Sequence, residues 1–400
     1  MLRVLFTALT IPAAPVQAPS PELLATAVQG APVLFVLPAS RDGAAEAFAR
    51  WRPATSARNW TLAVLRAELS PSDTTVRLIE SVWEGLAQQS RPAAERVYLV
   101  GEGAGATAVF YAVSRRPDLW AAAAAIGGNP RLAIETNRLF AANTTLVPVL
   151  WLPSAGDPLA EEMRARLASA GYRLADPPKA EMTARELLDW LGEHRSEPFP
   201  SRIDCETGEP AFARCYWATM TRLDFSLRND ALPSSRVPPG SGASLALGGF
   251  GFDPSAPGPG VLVGWLPENY RGPLKLGDRI VAVGGREIAD ARGYLEFMER
   301  QAEERSAAVM ILREGRRIRV ETRIVLPRRE EVQTARLQAE YLPETRELFV
   351  ITRGVAALRM NLPAFWTPCR VNWNGTEAGA AEKAGCWQLE EGMPARPCPQ

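Results

Sequence analysis

The residues best placed to do chemistry stand between Val97 and Tyr111, VYLVGEGAGATAVFY. A short apolar run enters a glycine-rich turn, Gly101-Glu102-Gly103-Ala104-Gly105, and leaves it as a helix of small residues. Strand, tight turn and helix N-terminus in succession are where an α/β sheet presents a nucleophile or holds a phosphate. The centre of this turn is Gly103, which carries neither hydroxyl nor thiol. Acyl transfer through a side chain needs both an attacking atom and a base to activate it. The chain's one histidine, His194, lies at the far end of an amphipathic stretch that begins at Thr183, about 16 Å along at helical rise. At a helix C-terminus an imidazole most simply complements the dipole. Lys179 could act as a base, but with glycine at 103 it has nothing to deprotonate.

The same turn also fits a phosphate reading. Gly101, Gly103 and Ala106 match GxGxx[GA] between a strand and a helix, where N-terminal amides could hold a pyrophosphate. That fingerprint requires an acidic residue at the end of the next strand. The next strand, Ala121 to Ile126, ends instead in Gly127-Gly128-Asn129. A Walker A site fails because no GK[ST] follows. The turn is therefore expected to be structural, its glycines serving close packing or positive φ, and no cofactor is expected.

From Ala31 to His194 apolar runs of strand length alternate with amphipathic stretches. VLFVL at Val33, TLAVL at Thr61, VYLV at Val97 and VPVLWL at Val147 read as strands, and Thr75 to Gln88, Asp157 to Ala170 and Thr183 to His194 as helices. Such alternation predicts a doubly wound, mostly parallel sheet with helices on both faces. Residues 197–243 turn proline- and serine-rich and read as a bridge with one or two strands, closing in the linker RVPPGSG. Residues 244–327 form a second compact unit, with a helix from Ala291 to Glu304 and a hairpin turning at Glu314-Gly315. Residues 328–400 read as a small all-β unit: RLQAEYL, ELFVITR, ALRMNLP and RVNWNG, with a turn at Asn374-Gly375.

Within a unit read as residues 19–196, the stretch from about Ala31 to Arg195 resembles the α/β hydrolases, in particular the esterase and prolyl-oligopeptidase-like branch. The turn at Gly103, the helix after it ending in RRPDLWAAAAAIGG, and VPVLWLPSAGDPL carry the likeness. In that family the turn reads GxSxG, and the acid of the triad follows the strand that corresponds here to Val147–Leu152. Asp157 stands at that place. The family's base should fall between Tyr172 and the last helix, where RLADPPKAEMT holds no histidine. The resemblance thus implies the fold together with a degenerate triad, Gly103 and Asp157 marking its positions. The alternative is a serine hydrolase working from a non-standard site through a recruited serine such as Ser40 or Ser154.

Residues 244–327 resemble a bacterial PDZ domain. Gly249, Phe250, Gly251 and Phe252 stand as GFGF where that family binds a peptide carboxylate, and LKLGDRIVAVGGREI has its spacing of leucine, GD, apolar strand and glycine turn. Glycines let such a loop turn successive amides toward a carboxylate, and the strand after it offers an edge to an added peptide. The resemblance implies carboxy-terminal or internal peptide segments as partners, Phe250 and Phe252 flanking the last side chain. The groove could instead be filled by the protein's own segments. The family's histidine at the start of the second helix is absent, Ala291 or Arg292 standing there.

Composition narrows the remaining classes. Among 400 residues, Lys+Arg and Asp+Glu are equal at 45 each, so no overall field favours nucleic acid. The first eighteen residues, MLRVLFTALTIPAAPVQA, resemble a short secretory signal, and no stretch is apolar enough to span a bilayer. Cysteines bracket two short segments, Cys205 with Cys215 and Cys369 with Cys386, leaving Cys398 over. Two local bridges of this kind suit an exported chain. No CxxC occurs, so no zinc site is expected. Asn143 and Asn374 head NxT triplets, too short a motif to decide anything. The expectation is an exported, multidomain, peptide-binding protein with a non-catalytic hydrolase-like domain.

Overall fold

The computed structural model describes residues 23–157, 159–252, 256–267, 269–327 and 332–399. The stretch read as a secretory signal lies outside them.

The first body is a seven-stranded sheet of β1 (Leu23–Thr26), β2 (Val33–Leu37), β3 (Thr61–Leu65), β4 (Val97–Glu102), β5 (Ala122–Ile126), β6 (Val149–Leu152) and β7 (Leu174–Ala175). Its order is β1-β3-β2-β4-β5-β6-β7, parallel throughout except for β1, which runs antiparallel to β3 at one edge. Between the strands come α1 (Ala44–Ser56), α2 (Asp73–Ser90), α3 (Ala104–Arg115), α4 (Arg131–Glu135), α5 (Ala160–Ser169) and, after β7, α6 (Ala184–Gly192). The strands are apolar without alternation because both faces are covered. Val33, Phe35 and Leu37 point into a core with α2, α3 and α5, whereas Leu34 and Val36 point into one with α1 and α6. This is the doubly wound, α/β-hydrolase-like architecture expected from the alternation.

Local chemistry sets several boundaries. Ser72 accepts from the Thr75 amide at the start of α2, and Thr183 with Glu186 closes a capping box at the start of α6. Helix α1 contains Pro53 and survives it, anchored by Trp51, which is 1% exposed.

The chain then forms β8 (Arg202–Thr207), β9 (Arg214–Cys215) and β10 (Ala218–Leu223). A second sheet follows, from β11 (Ser244–Leu245), β12 (Gly251–Phe252), β13 (Val261–Trp265), β14 (Arg279–Val283), β15 (Arg286–Glu287), β16 (Arg305–Arg313) and β17 (Arg316–Val325), with α7 (Ala291–Glu299) packed on it. Its order is β11-β17-β16-β14-β13-β12, with β15 beside β14. The helix is shorter than expected, stopping at Glu299. The Asp278 carboxylate in the LKLGD run receives the Arg313 guanidinium twice at 2.8 Å and the Lys275 amide at 2.7 Å, so this aspartate fastens its turn to the end of β16.

The last body is a sandwich of two five-stranded sheets. Its later strands are β18 (Ala335–Leu342), β19 (Glu347–Arg353), β20 (Val355–Leu362), β21 (Cys369–Trp373), β22 (Thr376–Ala381), β23 (Gly385–Glu390) and β24 (Arg396–Pro397). One sheet reads β22-β21-β19-β18-β8 and the other β24-β23-β20-β10-β9, and their inner faces share one core. Strands β8, β9 and β10, from the stretch read as a bridge, are therefore part of this body. The second sheet's unit is inserted between the sandwich's two pieces of chain.

The disulfides follow that arrangement. Cys205 on β8 and Cys215 on β9 bond across the two sheets, as the spacing suggested, with Cα atoms 5.9 Å apart. The expected Cys369–Cys386 pair does not form. Cys369 sits on β21 inside the sandwich as a free thiol, its pKa pushed up by burial, while β24 returns beside β23 and brings Cys398 to Cys386, Cα to Cα 5.3 Å. The observed partner is also the nearer one in sequence, 12 residues away, and the β23–β24 pairing is what sets the two sulfurs side by side.

The α/β body and the sandwich are joined by buried polar groups. The Asn143 amide donates to Ser114 O and to Glu206 O, and its carbonyl accepts the Glu206 amide, so this NxT asparagine is fully engaged inside the fold. Arg115, its side chain 1% exposed, pairs with Asp73 and with Glu209. Burial alone would raise the Asp73 carboxyl, but the Tyr111 hydroxyl and Arg115 hold it below the usual carboxylate range.

Candidate functional site

Two places merit description, the turn at Gly103 and the edge of the second sheet at β12.

Gly103 has φ +54° and ψ −118°, a strained corner that glycine tolerates and other residues resist. Its amide donates to Ile126 O at 2.8 Å. A Cβ added at 103 would lie 2.9 Å from the Ala39 Cβ, on the loop after β2. The flanking glycines are needed for backbone approach: a Cβ at Gly101 would strike Gly105 O, one at Gly105 would strike Leu37 O, and one at Gly128 would strike Gly103 O. The corner that a nucleophile's side chain would occupy is thus partly taken by Ala39. Glu102, just before it, is buried and accepts from Arg50 Nη1 and Trp51 Nε1, each at 2.9 Å, which engages it beneath α1.

The other residues singled out do not assemble into a relay. Asp157 Oδ1 accepts the Leu159 amide at 2.9 Å and Oδ2 accepts from Asn129 Nδ2 at 3.4 Å, so this carboxylate closes the turn into α5. The Ser154 hydroxyl donates to Gly127 O at 2.7 Å, and Ser40 Oγ accepts the Gly43 amide at 3.1 Å. Lys179 is paired with Glu186 at 2.6 Å. His194 is at the opposite end of the sheet. Its carbonyl accepts the Tyr98 hydroxyl at 2.9 Å, near the start of β4, whereas Gly103 lies five residues on, about 16 Å away at strand rise. The imidazole packs edge-on against Trp190, and burial lowers its pKa despite the nearby Glu193 charge. Among the described residues no group of acidic, cysteine or histidine side chains is arranged to hold a metal, and no helix is long and apolar enough to cross a membrane.

Gly103→Ser tests whether the corner awaits only a hydroxyl. The variant is expected to show no ester hydrolysis and to be less stable by about 1–3 kcal/mol for a side chain held at positive φ. Both are read by an aryl-ester assay and a thermal melt. Recovery of turnover would mean that a base lies within reach.

At the second place, Gly248 and Gly249 are exposed and lead through Phe250 into β12. The first ladder pair is Gly251 with Trp265, so the amides of Gly249 and Phe250 precede the sheet. Strand β12 ends the sheet order, and its outer edge carries no strand among the described residues. Beside that edge lies a cavity of about 510 Å³, between these glycines and α7. Phe250, Phe252, Tyr294, Leu295 and Met298 line it, the Phe252 and Tyr294 rings meeting edge to face at 5.7 Å. Gly249, Phe250 and Phe252 of the GFGF run line this cavity, whereas Gly251 does not and faces Trp265 instead. The facing helix contributes residues that were not singled out from sequence. Their signal was present in the spacing of Ala291, Tyr294, Leu295 and Met298, which is i, i+3, i+4, i+7. Trp265, 58% exposed, stands across from Gly251.

No family model matches this chain, and no curated protein matches it. Several solved structures resemble part of it. A thermostable esterase is 14% identical over 43% of this chain and 59% of its own, with a TM-score of 0.31. A phospholipase/carboxylesterase from Dyadobacter fermentans is 15% identical over 42% of this chain and 95% of its own, TM-score 0.31. A fungal esterase from Rhizomucor miehei is 18% identical over 41% of this chain and 75% of its own, TM-score 0.34. The chain spans less than two thirds of the first of these. Scores this low add nothing to the strand order and crossovers described above, which carry the α/β-hydrolase-like assignment by themselves.

Proposed function

We propose that this protein binds the carboxy-terminal tails of other polypeptides in the groove between β12 and α7, as a PDZ-like module, and does not hydrolyse them. The observation that carries the reading is a strand edge with no partner among the described residues, beside a cavity that Phe250, Phe252 and Met298 line, headed by glycines whose amides precede the first ladder pair. A peptide added along β12 gains main-chain hydrogen bonds, its terminal carboxylate meets those amides, and its last side chain enters between Phe250, Phe252 and Met298. The α/β body serves as scaffold, because Gly103 offers no attacking atom and the only imidazole sits at the far end of β4. Two disulfides suit an oxidising, exported location.

Fluorescence anisotropy with a library of labelled peptides tests this reading. Peptides with a free carboxylate and an apolar last residue should bind, and their carboxamides should bind at least tenfold more weakly. Equal binding of acid and amide would remove the glycines from recognition. A second reading, hydrolysis through a recruited serine, has one observation in favour: Ser154 Oγ lies 3.7 Å from where a Cβ on Gly127 would stand, and that point is 3.9 Å from the Gly103 amide. It would require Ser154 to attack without an imidazole.

A further inference from the structure

The groove is not bounded by its own unit alone. On the side toward the α/β body its cavity is lined by Leu159, Glu162, Met163 and Arg166, with Arg131 and Glu135 from α4. One ion pair ties this wall to α7, and two hydrogen bonds tie the segment at Ser241 to the same helix. Arg166 bridges Glu162, at 2.8 Å, and Glu299 at the end of α7, with its side chain 14% exposed. The Ser241 hydroxyl donates to Met298 O at 2.8 Å, and the Ser241 amide donates to Glu299 Oε1 at 3.2 Å. These bonds tie the segment entering the second sheet, the helix of the groove and α5 into one cluster.

Resting on the reading of this groove as a peptide site, we infer that the tail is read by both bodies at once. Its last side chain is clasped between Phe250, Phe252 and Met298 on one side and Leu159 and Met163 on the other. Leu159 and Met163 are the apolar part of this wall and select the side chain by size, while Arg166 beside them is committed to Glu162 and Glu299. A cavity of about 510 Å³ falls within the roughly 300–1,000 Å³ of sites that enclose a ligand. It is larger than an alanine or valine side chain would fill. Methionines at Met163 and Met298 let the walls adjust to leucine, methionine or phenylalanine, and these are the last residues the site takes.

The experiment uses the full chain and a labelled peptide ending in leucine, as acid and as amide, together with the same peptide ending in photo-leucine. Irradiation of the wild-type complex is expected to crosslink the photo-leucine to the segment carrying Leu159 and Met163 as well as to the Phe250–Phe252 segment. Leu159→Glu should raise the Kd of the acid at least tenfold, and replacing the terminal leucine by alanine should do the same on the wild type. Crosslinks confined to residues 244–299, with Leu159→Glu within twofold of wild type, would overturn the shared wall while leaving the peptide site standing. Equal binding of acid and amide, or no binding of either, would overturn the groove reading itself and this inference with it.

Discussion

Gly251→Glu should weaken binding of a free-acid peptide by roughly 100-fold, about 2.8 kcal/mol. The substitution adds a negative charge to the strand that the peptide must join, directly after the amides proposed to meet its terminal carboxylate, and like charges at short range repel. The added Cβ would also stand 3.2 Å from the Trp265 Cβ, a tight contact. Gly251→Ala separates the two effects, since it introduces the same Cβ without the charge, and it should stay within a few-fold of wild type. Titration of both variants with acid and amide peptides reads the difference. If the glutamate variant binds like wild type, the Gly249 and Phe250 amides are not where the carboxylate sits.

Glu206→Ala should destabilise the sandwich by about 3–5 kcal/mol, the usual consequence of removing one partner from a buried ion pair. Glu206 is 1% exposed and accepts from Ser234 and Ser235, from Thr334, and from Arg353 Nη2 at 2.8 Å. It therefore fastens the segment before the inserted unit to β18 and β19 after it. Burial by itself would raise this carboxyl, but the hydrogen bonds from Ser234, Thr334 and Ser235 outweigh it and hold the pKa below the usual range. The sign follows from that depression. A lowered folded pKa gives stability that is present above the unfolded value, near 4.3 for glutamate, and is lost as pH falls through the folded value. Hydrogen exchange of the β8, β18 and β19 amides reports the sandwich separately from the other bodies. Protection there should drop in the variant at pH 7, and the gap between variant and wild type should narrow in acid.

Much of this architecture was legible because the signals were local. The runs at Val33, Thr61 and Val97 are strands buried on both faces, so unbroken apolarity at strand length sufficed. Glu314-Gly315 turns its hairpin with positive φ at both residues. What was not legible depended on long-range pairing or on tertiary anchoring. Helix α1 hid behind Pro53, which sequence reasoning treats as a breaker, and only Trp51 against the sheet explains why the helix persists. Strands β8 and β10 read as part of a bridge because their partners, β18 and β20, lie more than a hundred residues later, beyond an inserted unit. Cys398 found Cys386 through a strand of two residues, too short to show in any pattern. At the candidate sites, GFGF was legible as a motif, but the cavity beside it, with its lining from α5 and α7, is invisible without the fold. The glycine at 103 could be read directly, whereas the approach of Ala39 could not.

Labelling with a fluorophosphonate probe, read by the intact mass of the full chain, tests most directly the claim that this scaffold holds peptides without cutting them. The account predicts an unmodified mass and, with a bound apolar-tailed peptide present, an unchanged peptide after prolonged incubation. An adduct on Ser154, Ser40 or any other serine, accompanied by cleavage of the peptide or of an aryl ester, would contradict it.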